Sequence, residues 1–208
     1  RQMCIRDSIT VAQSGTVGTH KLSLSGDITL NNPSRDNSIA NSAYAVTLSG
    51  GATAAQVQLD LNGNEMIFAA PITSSGGSLL GGTINFNTAG SAIYTSGGTA
   101  FHTAFTVPGT INVSADARIG RTNTSSTTSN SGNFTVAIQA SGQLNVTAGT
   151  LTIDTTGRRG GDRTMSFNNA GNTSLAAGTG LVLDWNSTTN NSAGDGDVSV
   201  ANTGTLTQ

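Results

Sequence analysis

The chain has 208 residues, of which 9 are basic and 11 acidic, so its net charge is -2 and only 10% of its residues are charged. Glycine, serine, threonine and asparagine supply half of the chain, whereas Glu65 and Lys21 are its single glutamate and single lysine. This composition argues against a mainly helical protein, because glutamate and lysine are good helix formers and the abundant residues are not. It also argues against a nucleic-acid binder, because nine cations cannot build a basic surface.

The first eight residues resemble a translated sequencing adapter. The codons CGT CAG ATG TGT ATA AGA GAC AG, with one further base, encode the run from Arg1 to Ser8. We therefore expect residues 1–8 to be an artefact and residues 9–208 to be a fragment of a larger protein. Cys4, the only cysteine, belongs to this run, so the rest of the chain can form neither disulfides nor thiolate metal sites.

Short runs that alternate apolar and polar residues follow one another along the chain. A period of two predicts strands with one buried face, and threonine at the outward positions favours extended backbone. In chain order the runs are 9–11, 22–24, 28–30, 46–48, 57–61, 84–86, 111–113, 134–138, 144–146, 151–153, 181–183 and 198–200. Clusters of glycine, asparagine and serine between the runs predict turns. The sequence therefore predicts an all-β protein.

Seven strands share the pattern glycine, any residue, apolar, polar, apolar, and an incomplete copy begins at Gly204. The seven glycines are Gly26, Gly82, Gly109, Gly132, Gly142, Gly149 and Gly196. Spacings of 23 and 27 residues suggest one coil of a solenoid, those of 47 and 56 suggest two coils, and those of 7 to 10 suggest successive strands within a coil. We therefore predict a right-handed parallel β-helix of roughly eight coils, with a β-sandwich as the alternative.

Two segments predict loops that protrude from the strands. Residues 121–132 are rich in serine, threonine and asparagine, and residues 157–163 combine glycines with three arginines. The arginines Arg158, Arg159 and Arg163 could contact anionic glycans, although a solvated turn is the simpler interpretation.

One segment carries a family resemblance. The run Leu59-Asp60-Leu61-Asn62-Gly63-Asn64 is followed by an apolar strand at 66–68 and by a proline- and glycine-containing run at 71–79. With the strands that begin at Gly149 and Gly204, it resembles passenger regions of bacterial autotransporters that carry autotransporter-associated β-strand repeats. The close match covers about 20 residues, and residues 94–97 resemble the family's "TYTG" repeat only weakly.

The resemblance implies an exported, extended β-helical passenger or stalk at the bacterial cell surface. Such a passenger reaches the membrane only through a C-terminal barrel, which this sequence does not contain. The resemblance supplies no catalytic residues. It also implies glycans or surface proteins as the class of partner.

Carboxylates are the residues that would support an enzyme on this scaffold. β-Helical polysaccharide-cleaving enzymes use clustered Asp or Glu as general acid and base or as calcium ligands. The candidates are Asp60, Glu65, Asp116, Asp154, Asp162 and Asp184. None forms a close pair within one strand, but stacked coils could bring Asp154 near Asp184. Two or more of them within about 6 Å in a groove would favour polysaccharide cleavage.

The remaining candidates have simpler structural interpretations. The two histidines, His20 and His102, lie far apart in the sequence and predict surface or turn positions rather than a metal site. The run 194–197 alternates glycine and aspartate and predicts an acidic turn, because a calcium β-roll needs several copies. Trp185 could stack on a sugar but fits a large inward or flanking position better.

The glycosylation-like triplets at Asn112, Asn123, Asn133, Asn145, Asn172, Asn186 and Asn190 are expected by chance in such a composition. An ice-binding face would need more regular threonine spacing. We therefore expect no catalytic, cofactor or metal site.

These features favour a non-enzymatic structural or adhesive stalk fragment of an exported bacterial surface protein, located outside the cell. One alternative is a β-helical polysaccharide-degrading enzyme or tailspike, and another is a β-sandwich carbohydrate-binding module. Cut coils would expose unpaired strand edges, so we expect the isolated chain to aggregate.

Overall fold

The computed structural model describes residues 3–5, 9–13, 20–30, 46–50, 57–68, 78–79, 82–96, 103–122, 134–156, 163–186 and 196–208. The regular elements within these residues are β-strands. They are β1 Met3–Ile5, β2 Ile9–Gln13, β3 His20–Ser23, β4 Ile28–Leu30, β5 Val46–Gly50, β6 Val57–Asp60, β7 Glu65–Phe68, β8 Ser78–Leu79, β9 Thr83–Phe86, β10 Ser91–Ser96, β11 Thr103–Val107, β12 Thr110–Val113, β13 Ala117–Thr122, β14 Phe134–Ile138, β15 Gln143–Val146, β16 Thr150–Thr156, β17 Arg163–Asn169, β18 Asn172–Leu175, β19 Gly180–Asn186, β20 Gly196–Asn202 and β21 Thr205–Thr207. Among the described residues, no helix is long and apolar enough to cross a membrane.

Each strand pairs in parallel with the strand three places along the chain. Sheet 1 has the order β1-β4-β7-β10-β13-β16-β19, sheet 2 the order β8-β11-β14-β17-β20, and sheet 3 the order β3-β6-β9-β12-β15-β18-β21, while β2 pairs with β5. All strand pairs within the described residues are parallel, so the antiparallel sandwich alternative is wrong for this part of the chain. The prediction of an all-β protein is confirmed, and its parallel sheets are compatible with a β-helix.

The sequence separations between paired strands are longer and less regular than the glycine spacings predict. Asp60 and Asn85, on adjacent strands of sheet 3, are 25 residues apart, but Asn112 and Asn145 are 33 residues apart. The predicted two-coil spacing from Gly149 is wrong, because it links β16 of sheet 1 to β20 of sheet 2. The 56-residue spacing is wrong for the same reason, since it links β4 of sheet 1 to β9 of sheet 3.

The 23-residue spacing from Gly109 is also wrong as one coil, because the strands that follow its two ends are β12 of sheet 3 and β14 of sheet 2. Two other spacings agree with the strand order. The 27 residues between Gly82 and Gly109 do span one coil, since β9 and β12 pair directly. The short spacing from Gly142 to Gly149 links the successive strands β15 and β16. Gly132 and the greater part of both predicted loops lie outside the described residues.

A stacked column of glycines explains why glycine precedes the strands of sheet 3. A Cβ atom at Gly142 would overlap the carbonyl oxygen of Val107 in the preceding coil. In the same way, a Cβ atom at Gly171 would overlap the carbonyl oxygen of Gly142, and one at Gly204 would overlap that of Gly171. The chain segments that precede the strands of sheet 3 therefore approach each other at a distance that only glycine permits.

Apolar side chains of the three sheets meet in one core. On sheet 3 the directly paired residues Ile84, Ile111 and Leu144 are all buried. Phe105 and Phe134 of sheet 2 pack edge to face, with ring centroids 5.8 Å apart. Alternation along each strand places these residues inward and the threonines and asparagines outward, as the sequence predicts.

The resemblance-bearing segment forms the turn between β6 and β7. Asn62 and Gly63 have positive φ angles of 53° and 81°, and the amide of Asn64 donates to the carbonyl of Leu61 over 3.0 Å. Two positive central φ angles are typical of a type I′ turn and favour the Asn-Gly pair. The side chain of Asn64 also donates to the carbonyl of Leu24, which ties this turn to the preceding coil.

Candidate functional site

Two rows of outward residues cross sheet 1. The first row follows the register Glu65, Ala92, Arg118, Thr152 and Val182, from β7 to β19. Because the strands are parallel and directly paired, neighbours in a row are separated by about 4.8 Å. Residues that are distant in sequence therefore share one surface.

The second row brings a tyrosine and two aspartates onto the same surface. It follows the register Tyr94, Gly120, Asp154 and Asp184. Gly120 leaves a gap in this row, and a Cβ atom there would overlap Asp154 Oδ1 and come within 2.8 Å of Tyr94 Cε1. The glycine therefore lets Tyr94 and Asp154 approach each other over the strand between them.

Arg118 joins the two rows through an ion pair. Its Nη1 atom donates to Asp154 Oδ2 over 3.1 Å. The Asp154 side chain is only 3% exposed, whereas that of Arg118 is 57% exposed. The aspartate thus anchors the arginine from below, while the guanidinium group remains accessible to solvent.

Burial and the Arg118–Asp154 ion pair shift the pKa values of the side chains in this cluster. Burial raises the pKa of Asp154 above its ordinary value, the Arg118 charge opposes this, and the Asp184 charge adds to it. Burial also raises the pKa of Tyr94, with a further increase from the Asp154 charge. A hydrogen bond with Tyr94 raises the pKa of Arg118, so the arginine stays charged.

The predicted approach of Asp154 and Asp184 is found in the register, because the two residues are direct partners on β16 and β19. Their surroundings differ from those of an acid–base pair in a groove. Asp154 Oδ2 accepts from Arg118, and Asp154 Oδ1 is buried with no hydrogen-bond partner among the described residues. A substrate therefore cannot reach the Asp154 carboxylate without displacing the arginine.

The other candidate carboxylates lie apart from this pair. Asp116 precedes β13, and its Oδ1 atom accepts the backbone amide of Thr150 over 2.9 Å, so it holds a turn. Asp60 lies on sheet 3, where it contacts Lys21 Nζ at 2.7 Å. Glu65 begins β7 in the first row. Asp162 lies outside the described residues.

Asp60 is the first member of an amide ladder on the outer face of sheet 3. Asn85 Nδ2 donates to Asp60 Oδ1 over 2.6 Å, and Asn112 Nδ2 donates to Asn85 Oδ1 over 3.0 Å. Asn145 Nδ2 continues the ladder to Asn112 Oδ1 over 3.1 Å. Each amide satisfies the next, so these residues link successive coils rather than facing a ligand.

A groove lies on sheet 1 beside the Arg118–Asp154 pair. Its volume is about 580 Å³. Ser91, Ala92 and Ala117 form its buried floor. Its walls carry the side chains of Glu65, Tyr94, Asp116, Arg118, Thr150 and Thr152. The lining thus brings charged, hydroxyl and aromatic groups to one depression that crosses β7, β10, β13 and β16.

The remaining candidate residues are placed only by their strands or lie outside the described residues. His20 begins β3, Trp185 lies near the end of β19, and Arg163 begins β17. Four of the glycosylation-like triplets begin at strand residues, namely Asn112, Asn145, Asn172 and Asn186. His102, Arg158, Arg159, Gly194 and Asp195 lie outside the described residues, as do Asn123, Asn133 and Asn190. Within the described part of the chain, no group of three or more His, Cys, Asp or Glu side chains could hold a metal ion.

Sequence reasoning did not identify Tyr94 and Arg118 as site residues. Neither lies in one of the predicted alternating runs, and their neighbours in the site lie on strands one or two places away in sheet 1. The only local signal is Gly120 within the strand β13, because glycine inside a strand often marks a close approach of other groups.

Comparisons with protein-family models, with curated protein sequences and with solved structures gave no match to this chain.

Proposed function

We propose that the chain is a structural and adhesive stalk segment of an exported bacterial surface protein, with the sheets closed into a right-handed parallel β-helix. The stack of parallel coils supports this proposal most directly. From β7 onward, successive strands return in the same order to sheets 1, 2 and 3, and apolar residues from these sheets form the core. Such a stack lengthens by about 4.8 Å with each coil and so suits a rod that projects from a cell.

The polar ladders support the same proposal. The amide ladder and the column of glycines on sheet 3 hold adjacent coils together without disulfides. This suits a chain that must be exported unfolded and then fold outside the cell. The proposed location is the extracellular face of the bacterial envelope. The resemblance of residues 59–64 to autotransporter passengers agrees with that location.

Surface display tests the proposal. The full chain would be placed between an N-terminal epitope and an autotransporter barrel, and intact cells would be treated with antibody and protease. We expect the epitope to be accessible and the passenger to resist the protease. Ile111→Asp, which charges a buried core position, should remove that resistance, while Leu206→Asp at a 52% exposed position should keep it. An epitope that is accessible only after lysis would contradict the proposal.

A second candidate is polysaccharide cleavage, because Asp154 and Asp184 face each other across adjacent strands. Carboxylates about 5 Å apart are typical of retaining glycosidases. The burial of Asp154 under Arg118 argues against this role. Release of reducing sugars from a panel of polysaccharides, lost in Asp184→Asn, would favour the enzyme over the stalk.

A further inference from the structure

We propose that the groove on sheet 1 binds a neutral oligosaccharide. This inference deepens the proposed function, because it gives the adhesive role a binding site. The groove volume of about 580 Å³ lies in the range of small-molecule sites, and its polar groups converge from four different strands. Three of those groups, Glu65, Arg118 and Thr152, lie in one row of the register.

The arrangement of donors and acceptors suits hydroxyl groups. The exposed guanidinium of Arg118 presents several N–H donors, and its orientation is fixed by the ion pair with Asp154. Glu65 supplies a carboxylate acceptor two strands away in the same row. The hydroxyls of Thr150 and Thr152 can donate or accept on the far side. The edge or face of the Tyr94 ring offers a surface for a sugar ring.

The charge of the groove favours a neutral ligand over an anionic one. Asp154 already compensates Arg118, and the lining carboxylates Glu65 and Asp116 leave the groove with an excess of negative charge. An acidic polysaccharide would meet repulsion from these two carboxylates. A neutral sugar hydroxyl can instead donate to either of them.

The length of the groove favours a chain of sugars over a single one. The lining residues extend from β7 to β16, which is three strand spacings or roughly 14 Å. A short oligosaccharide laid across the strands would reach Glu65 at one end and Thr152 at the other.

Binding by the purified full chain, carried on a soluble fusion partner, tests the inference. The probe is an array of neutral and acidic oligosaccharides, followed by titration calorimetry with the neutral compound that gives the strongest signal. Thr152→Trp should fill the groove, and Glu65→Gln should remove a charged acceptor while preserving the shape of the side chain. We expect each to weaken binding at least about tenfold, as loss of a hydrogen bond to a charged group would.

Val182→Trp is the matched control, because Val182 is the direct neighbour of Thr152 in the same row but does not line the groove. It should change the affinity less than about twofold. Unchanged urea midpoints in pulse proteolysis would exclude misfolding of the variants. Absence of binding to every neutral compound, exclusive binding of acidic compounds, or equal losses in the control would overturn the inference. None of these results would affect the surface-display test, so failure of the site and failure of the stalk are distinguishable.

Discussion

Replacing Arg118 with methionine should destabilise the protein at pH 7 by about 3 kcal/mol. Removing one partner of a buried ion pair costs about 3–5 kcal/mol, because the remaining charge is left uncompensated. Here Asp154 is buried, and its Oδ1 atom already lacks a partner, so its carboxylate would lose its only side-chain hydrogen bond within the described residues. The 57% exposure of the arginine places the estimate at the lower end of that range.

The loss should depend on pH with a definite sign. Burial raises the folded-state pKa of Asp154, so the folded protein holds this proton more tightly than the unfolded chain. This tighter proton binding stabilises the folded protein at pH values below the pKa of Asp154 in the unfolded chain. The stabilisation is lost as the pH rises through the pKa of Asp154 in the folded protein. Arg118 opposes the rise, so its removal shifts the folded pKa further upward. The difference between the wild type and Arg118→Met should therefore shrink as the pH is lowered from 7 towards 4.

Pulse proteolysis in urea at pH 7, 5.5 and 4 provides the assay, with the chain carried on a soluble fusion partner and an acid-active protease used at the lowest pH. The double variant Arg118→Met/Asp154→Asn is the control, because a neutral amide needs no cation. It should be more stable at pH 7 than Arg118→Met alone. An equal loss at all three pH values, or no recovery in the double variant, would refute the assigned role of the ion pair.

Three further substitutions test the packing, each by its urea midpoint. Gly142→Ala should cost about 1–3 kcal/mol because its Cβ atom would overlap a carbonyl oxygen. The control Gly26→Ala, which has open space around the position, should change stability by less than about 0.5 kcal/mol. Equal effects of the two substitutions would contradict the close stacking of the glycine column. Ile111→Ala should cost about 2–5 kcal/mol at a position only 1% exposed, and a loss no greater than that of the exposed Leu206→Ala would place Ile111 outside the core. Asn112→Ala should cost about 1–3 kcal/mol because Asn85 Oδ1 and Asn145 Nδ2 each lose their bond to Asn112. A neutral result would show that the ladder does not stabilise the fold.

The strands could be predicted from the sequence because their signal is local. Alternation at 84–86, 111–113 and 144–146 reports the inward and outward faces directly, and these runs form β9, β12 and β15. Parallel pairing was predicted from the spacings of a recurring glycine pattern, but among the coil-length spacings only that of 27 residues matches directly paired strands, β9 and β12 of sheet 3. The chain segments before the strands of sheet 3 stack so closely that a Cβ atom would not fit, and this explains why glycine recurs there.

The candidate site could not be predicted because it depends on register between coils. Segments of different length separate the strands, so the spacing between neighbours changes from 25 residues in one coil to 33 in another. A shift of one residue would move Arg118 or Asp154 to the opposite face. The meeting of Tyr94, Arg118 and Asp154 is therefore a property of the stack rather than of any local motif.

The groove on sheet 1 depends on the register between the parallel strands, and cysteine cross-linking measures that register. In a Cys4→Ser background, Ser166→Cys and Ser199→Cys would replace two hydroxyls that lie 3.0 Å apart on β17 and β20. Direct partners on adjacent strands meet the Cα separation that a disulfide needs, of about 4.4–6.8 Å. Pairing Ser166→Cys with Ala201→Cys, two residues out of register, gives the control.

We predict that oxidation yields an intramolecular disulfide for the Ser166 and Ser199 pair and little or none for the control. Mass spectrometry of the digested chain would identify the linked peptides. A disulfide that forms only in the control, or equally in both, would contradict the parallel register on which the groove depends.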